Sequence, residues 1–288
     1  ENRMRLKDYD TTNKMSASVV SSTRITPEDS KTELRHIDLA VDSIDFSYEV
    51  GQSVGVLVPG PHEFGVKEYM RLYSIAGSGE GDGIKPVISL CVKRCFYIDD
   101  FNGERYEGKA SNYLCDLKEG DEVTLVGPYG LAFTLPKEKD ANLLMIGLGT
   151  GIAPFRAFIK HIYNELGGWE GDVRLYHGAM RGIELAYMND QNADLEYYFD
   201  QETFKAIQAL SPRAHFDVPV DLEGAIAQNA DEVWTQLQDP KTYIYVAGLR
   251  QVSELLDGAL VKIVGSPEAY EQQKAKMIDE GRWAELIY

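Results

Sequence analysis

Between residues 17 and about 135 the chain alternates short apolar runs with turn residues: SASVVSSTRIT, HIDLAVD, SVGVLVPG, RLYSIAG, KPVISLCVKR and DEVTLVGPYG. Runs of this kind, rich in Val, Ile and Thr and punctuated by Gly, Pro, Asp and Ser, predict the strands of an antiparallel β-barrel. From about residue 140 the period changes. LLMIG reads as a buried strand, IAPFRAFIKHIYNELG as an amphipathic helix, VRLYHGAM as a strand and LEYYFDQETFKAIQAL as a helix. ADEVWTQL then reads as a helix, TYIYVAG as a buried strand, and SELLDGALVKIV and SPEAYEQQKAKMIDEGRW as helices. Strands alternating with helices predict an α/β doubly wound parallel sheet. The polar stretch LPKEKDAN, residues 135 to 142, opens with a proline and marks the expected boundary: a barrel domain over 1–138, with an N-terminal extension over 1–16, and an α/β domain over 139–288.

A length of 288 residues agrees with two domains. With 44% hydrophobic and 26% charged residues the chain has the composition of a globular protein. No run approaches the roughly 18 to 20 apolar residues of a membrane span, and the opening ENRMRLKDYD lacks the apolar core of a signal peptide, so a soluble, cytoplasmic protein is expected. A start at Glu1 rather than Met leaves room for a further amino-terminal module. The net charge of −17 opposes binding to nucleic acid or to anionic lipid. Cys91, Cys95 and Cys115 match neither a disulfide framework nor a zinc or iron–sulfur pattern, and reduced, partly buried thiols are expected. The histidines form no HExxH pair, so no metal site is expected.

Candidate chemistry begins in RLYSIAG, residues 71 to 77. Strand alternation puts Arg71 and Tyr73 on one face, a guanidinium suited to a pyrophosphate beside a ring suited to a flat heterocycle, with Ser74 able to bond the heterocycle's edge. Alone, the heptapeptide reads equally as a barrel strand with a surface ion pair and a core tyrosine. In GKASNYLCDLKEGDEVTLVGPYG, residues 108 to 130, Ser111 and Asn112 stand ahead of an apolar helical turn, as an N-cap that favours an anion or simply as a cap. GLGTGIAP, residues 147 to 154, follows a buried strand and opens a helix, so Gly147, Gly149 and Gly151 permit a tight turn and close ligand approach. Ile152 and Pro154 break the GxGxxG spacing, which leaves a nucleotide-binding loop or a plain strand-to-helix turn.

RLYSIA, LCVKR, the SNYLCDLK..DEV..GP segment, GTGIAPFR, YVAGL and a terminal aromatic preceded by a tryptophan follow one another in a familiar order. From residue 17 onward the chain resembles the plant-type ferredoxin–NADP reductase family. The resemblance implies an FAD-binding barrel and an NAD(P)-binding α/β domain. It implies that Arg71 grips the FAD pyrophosphate, Tyr73 packs on the isoalloxazine and Ser74 reaches toward N5, with Leu72 between them. Lys93 and Tyr97 look like residues that meet the adenosine half and Ser111 like a pyrophosphate donor, and Cys91, Val92, Lys109 and Ala110 are also implied to bind the cofactor. Gly149, Thr150, Gly151, Arg181, Ala247 and Gly248 fall on the nicotinamide side, Thr150 facing the flavin as well, and Tyr288 resembles the terminal aromatic that covers the flavin face. Ser74, Tyr288 and Glu285 are the implied catalytic residues.

The implied activity is electron transfer between a nicotinamide dinucleotide, NADP or NAD, and ferredoxin, flavodoxin or another redox protein, with FAD as cofactor. Two alternatives share the flavin: an electron-relay or redox-sensing subunit of a larger complex with weak or lost NADP(H) activity, and the reductase component of an oxygenase system.

Departures from the family pattern cluster on the nicotinamide side. Ala247 stands for the cysteine of YxCG, and Leu286 for the acidic residue two places before the last aromatic, where a register shift would let Glu285 substitute. The serine–arginine pair for the 2′-phosphate is expected near FDVPVD, residues 216 to 221, where Pro219 and Val220 stand, and LEGAIAQ lacks its lysine and tyrosine. A phosphate beside Asp217 and Asp221 is unfavourable, which opposes NADP preference unless Arg181 supplies a cation; as a solvated loop arginine it would not. Docking of an acidic ferredoxin needs a local basic face, for which Lys67, Arg71, Lys85, Lys93, Arg94, Arg105 and Lys109 are candidates if they are not scattered.

Overall fold

The computed structural model describes residues 9–65, 69–98, 100–130 and 133–288. Internal contacts divide the chain into two compact units, Glu1–Leu131 and Ala132–Tyr288. The sequence pattern placed that division after residue 138; Phe133 belongs to the second core, stacking on Phe158, tilted against Phe155 and meeting Tyr245 edge-on.

The first unit contains β1 (Lys14–Arg24), β2 (Leu34–Val41), β3 (Ser53–Val58), β4 (Tyr69–Ser74), β5 (Val87–Lys93), β6 (Phe96–Ile98), β7 (Arg105–Glu107), α1 (Lys109–Asp116) and β8 (Glu122–Tyr129). Strand β1 begins inside the span expected as an extension. Six strands pair antiparallel in the order β4-β3-β8-β1-β2-β5. Past β4 the chain turns onto β5: Ala76 N donates to Ser89 O at 2.7 Å, Ser89 N to Gly77 O at 2.8 Å and Gly79 N to Val87 O at 3.0 Å. The sheet thereby curls back on itself, the segment after β4 pairing with β5 at the far end of the strand order. Alternation supplies the core, with Ile37, Leu39, Val54, Val56, Leu90 and Leu125 wholly or almost wholly buried. Each such aliphatic contributes about 1.5–3 kcal/mol. Helix α1 adds Leu114 and Cys115 to the same core. The hairpin of β6 and β7 was not foreseen; both its strands are exposed, and such short runs carry little hydrophobic period.

The second unit contains β9 (Asn142–Leu148), α2 (Ala153–Lys160), β10 (Val173–Ala179), β11 (Phe204–Leu210), α3 (Leu222–Ala227), α4 (Ala230–Gln238), β12 (Thr242–Gly248), α5 (Gln251–Val264), α6 (Pro267–Asp279) and β13 (Trp283–Ile287). Its strands are all parallel, in the order β11-β10-β9-β12-β13. Leu144, Ile146, Val246 and Trp283 pack with α3 to α6, while Tyr245 joins Phe133 and Phe158 of α2. Such near-continuous burial is characteristic of a parallel sheet.

Two expectations are corrected here. LEYYFDQETFKAIQAL is not a helix: only Asp194–Tyr198 forms a 3-10 turn, and Phe204–Leu210 is the edge strand β11, paired with β10 from Phe204↔Val173 to Leu210↔Ala179. Lys205, Ala206 and Gln208 favour helix in isolation, but a full ladder against a buried neighbour outweighs that preference. The last expected helix stops at Asp279, and the residues after it form β13, anchored by buried Trp283.

Candidate functional site

In the first unit the site is built where β4 passes the start of α1. Arg71 pairs across the sheet with Val56 and Tyr73 with Val54, while Leu72 faces Gly55. Arg71 is exposed; its Nε donates to the Tyr69 hydroxyl at 3.1 Å and its guanidinium lies 5.6 Å from the Tyr69 ring centre. Lys109, the first residue of α1, places its Nζ 5.6 Å from the same ring. Among the described residues neither cation meets a carboxylate. The amides of the first turn of α1 have no intrahelical acceptors, so the region presents two cations and a helix N-terminus to an anion. Tyr73 packs against the barrel core, and burial pushes its phenol well above the ordinary value, keeping the ring neutral. Ser74 ends the strand, 4% exposed.

Ser111 is not an N-cap. Helix α1 starts two residues earlier, with Gly108 at the N-cap position and no side-chain cap. Ser111 Oγ instead accepts the Cys95 amide at 3.1 Å, and Asn112 Nδ2 donates to Cys95 O at 2.9 Å and Gly108 O at 2.8 Å. These bonds fasten the chain after β5 to the helix that carries Lys109 and Ala110. Val92 turns its side chain into the core, Cys91 is buried on the opposite face of β5, Lys93 is exposed, and Tyr97, 58% exposed, stacks on Tyr106 with ring centres 5.3 Å apart. The arrangement can hold a diphosphate beside a flat aromatic system and offer a second aromatic surface nearby.

The expected basic face is only partly free. Lys85 pairs with Asp42 at 3.1 Å, and Arg94 with Asp116 at 2.8 Å and Glu33 at 3.2 Å. Arg105 lies over Phe96 at 3.7 Å. Lys67 lies outside the described residues.

In the second unit the candidate residues gather at the carboxyl ends of β9, β12 and β13. The chain leaves β9 in one direction toward β10 and β11, and β12 and β13 lie on the other side, so β9 and β12 flank the switch point where such sheets bind ligands. Gly149 has φ +60°, and a Cβ at Gly151 would stand 2.2 Å from Ala247 O. The GLGTG turn therefore sits directly on the end of β12, with Thr150 half-exposed at its crest. Ala247 is fully buried, and Gly248 O accepts the backbone amide of Tyr288 at 3.0 Å. Thus Gly149, Thr150, Gly151, Ala247, Gly248 and Tyr288 are brought together. Arg181 is exposed on the loop after β10.

Glu285 is not brought to that group. The pairing of β12 with β13 runs without a shift, Ala247 opposite Leu286 and Val246 opposite Glu285. Neighbouring residues of a strand point to opposite faces. Glu285 accordingly accepts Trp283 Nε1 at 3.2 Å and lies 3.8 Å from Lys274 of α6. Lys274 also pairs with Asp257 at 3.0 Å and sits over the Trp283 ring at 4.9 Å.

Sequence reasoning missed Ser211 and Arg213. They follow β11 directly, at its carboxyl end, several residues before the segment where a serine–arginine pair was sought. Reading FKAIQAL as helix hid the strand end that would have located them. Arg213 is exposed; Ser211 Oγ donates to Val218 O, and exposed Phe216 packs on His215 at 4.2 Å. Asp221 is occupied as the N-cap of α3, accepting Gly224 N at 2.9 Å.

The loop after β10 is braced from α2. Arg156, buried, pairs with Asp194 at 2.7 Å and lies over the Tyr187 ring at 4.8 Å. Burial opposes ionisation of Asp194, but Arg156 and Lys160 outweigh it and hold the carboxyl below its ordinary value. His177 pairs with Gly147 in the ladder and bonds Ala186 O through Nε2 at 2.9 Å; complete burial lowers its pKa to about 4, so the ring is neutral.

Residues 145–257 match the family described as the oxidoreductase NAD-binding domain. The ferredoxin–NADP reductase of Synechocystis sp. is 32% identical over 262 residues, covering 87% of this chain and 62% of its own length. That of Thermosynechococcus vestitus is 32% identical over 283 residues, covering 96% of this chain and 73% of its own. Leaf isozyme 1 of Arabidopsis thaliana is 33% identical over 246 residues, with coverage of 84% and 68%. In fold, the chain resembles the ferredoxin-NADP+ reductase from Plasmodium falciparum, with a TM-score of 0.71 at 20% identity over 97% of this chain and 98% of that one. Relatives 32–33% identical over most of this chain, two thirds or more of whose own length it covers, place the chain in the ferredoxin–NADP reductase family.

Proposed function

We propose that the chain is an FAD-dependent oxidoreductase that transfers electrons between NADP(H) and a one-electron carrier of the ferredoxin or flavodoxin type. The observation that carries this reading is the convergence of Arg71 and Lys109 on Tyr69 without a carboxylate among the described residues, beside the start of α1. Two cations held against one ring beside a helix N-terminus, with no carboxylate between them among the described residues, fit a diphosphate. Arg71, Lys109 and the amides of Ala110 and Ser111 would hold the FAD diphosphate, Tyr73 would pack on the isoalloxazine with Ser74 at its edge, and Tyr97 would meet the adenine. When bound, FAD supplies the ability to take electrons in pairs and release them singly.

On the second unit, Gly149, Thr150, Gly151 and Gly248 would receive the dinucleotide, with Tyr288 as the terminal aromatic. Ser211 and Arg213 are the residues best placed for a 2′-phosphate, and Arg213 would offset the charge of Asp217 and Asp221; a P. falciparum ferredoxin-NADP+ reductase has been solved with 2′P-AMP. Exposed Lys93 and Arg105 would contribute to docking an acidic carrier.

The test is anaerobic mixing of the purified yellow protein with NADPH and with NADH. Prompt bleaching by NADPH, slower by NADH, is expected; bleaching by neither overturns the reading. One observation favours a second reading, an electron-relay subunit with little nicotinamide turnover: Leu286 and Ala247 face each other where the family carries a carboxylate and a thiol, and Glu285 is turned away. Slow reduction by both nicotinamides, combined with fast reduction by a one-electron donor, would select it.

A further inference from the structure

We infer that Tyr69, outside every motif considered above, is a positioning residue for the flavin diphosphate, holding Arg71 and Lys109 together in the absence of a counter-ion. This rests on the FAD reading. Tyr69 opens β4, and Arg71, two residues on, shares its face of the strand. The phenol oxygen accepts Arg71 Nε–H at 3.1 Å. Of the five guanidinium donors, those on the two Nη atoms remain, and no acceptor among the described residues takes them. They form the fork that grips a phosphate bidentately.

The ring does the complementary task for Lys109. An ammonium 5.6 Å from the ring centre lies within the reach of a cation–π attraction. Two long, flexible cations near one another would otherwise drift apart through repulsion and rotamer entropy. Tyr69 counters both tendencies, one with its oxygen and one with its π face. The ring is itself placed: its backbone pairs with Val58, and His62, whose Nε2 lies 2.9 Å from Val58 O, packs against it at 5.9 Å. A diphosphate then meets a preformed pair of charges rather than having to assemble one.

The experiment titrates the deflavinated full chain, as wild type, Tyr69→Phe and Tyr69→Leu, with FAD and with riboflavin, which lacks the diphosphate. Flavin fluorescence is the readout, and the series is repeated in an Arg71→Met background. FAD affinity is expected to fall about threefold in Tyr69→Phe and about tenfold in Tyr69→Leu, with riboflavin affinity unchanged. The Tyr69→Phe effect should vanish in the Arg71→Met background, because the hydroxyl acts through that guanidinium. Tyr69→Phe keeps the ring and its packing, so it reports even if Tyr69→Leu folds poorly. Equal losses for riboflavin, a Tyr69→Phe loss undiminished in the Arg71→Met background, or FAD affinities equal to wild type would overturn the inference while leaving FAD as the cofactor. Wild type binding FAD no tighter than riboflavin would overturn the FAD reading, and this inference with it.

Discussion

Gly151 faces the carbonyl oxygen of Ala247 so closely that a Cβ at Gly151 would stand 2.2 Å from it. The GLGTG turn and the end of β12 are thereby one packed object. Gly151→Ala must push them apart, at a cost of about 2 kcal/mol or more. Thermal melts of the variant should show a drop of about 4–8 °C, together with weaker NADPH binding. An unshifted melt would mean that the turn has room to move.

Glu285 and Leu286 make opposite predictions although adjacent. Glu285→Gln should leave the rate of flavin reduction by NADPH unchanged and lower stability by about 1 kcal/mol, through weaker contacts with Trp283 and Lys274. Leu286→Glu restores a carboxylate on the side of Ala247 and should raise that rate. Stopped-flow traces that reverse this order would return Glu285 to the catalytic group.

Arg213 is expected to act on NADPH alone. Arg213→Ala should raise KM for NADPH about tenfold, the worth of one charge-assisted contact, while kcat and the constants for NADH hold. Steady-state kinetics with the two dinucleotides would decide; an equal effect on both would remove Arg213 from the 2′-phosphate site.

His177 makes stability depend on pH. Its folded-state pKa, about 4, lies below the 6.5 of a free histidine. The unfolded chain therefore binds the extra proton between those values, so the contribution is whole above about pH 6.5 and is lost as pH falls toward 4, at about 1.4 kcal/mol per pH unit. Urea unfolding at several values in that window should show this slope, and His177→Gln should flatten it by the same amount. A slope that the substitution leaves unchanged would place the titration elsewhere.

Cys95 is the exposed thiol, whereas Cys91 and Cys115 are buried, and burial pushes the Cys115 thiol up to about 12. A bulky maleimide should label the native protein once, at Cys95, and the denatured protein at all of its cysteines. Peptide mapping that finds label on Cys115 in the native state would show the barrel opening on the labelling timescale.

The barrel was legible because strands such as β2 and β8 alternate apolar and polar residues as a half-buried sheet must. The β9 and β12 runs were legible because burial on both faces leaves them almost wholly apolar. What failed to read was β11, where Lys205, Ala206 and Gln208 are helix formers held in a strand only by the ladder to β10. That single error displaced the strand end and concealed Ser211 and Arg213. In the first unit Arg71, Tyr73 and Lys109 were visible in motifs. Tyr69 was not, because its importance lies in which two charges it touches, and spacing alone does not report that. Leu286 and Glu285 were legible as residues but not as faces, which only the uninterrupted pairing with β12 assigns.

The first unit is closed by its own final strand: β1 lies between β2 and β8, with Lys14 opposite Val126. A growing polypeptide that has reached residue 121 thus carries β1 and β3 with unpaired sides, both awaiting the same stretch of chain. Loops spanning so much sequence close slowly, and open strand sides invite pairing with other molecules. Any premature stop before Tyr129 should consequently yield sticky fragments rather than a smaller soluble barrel.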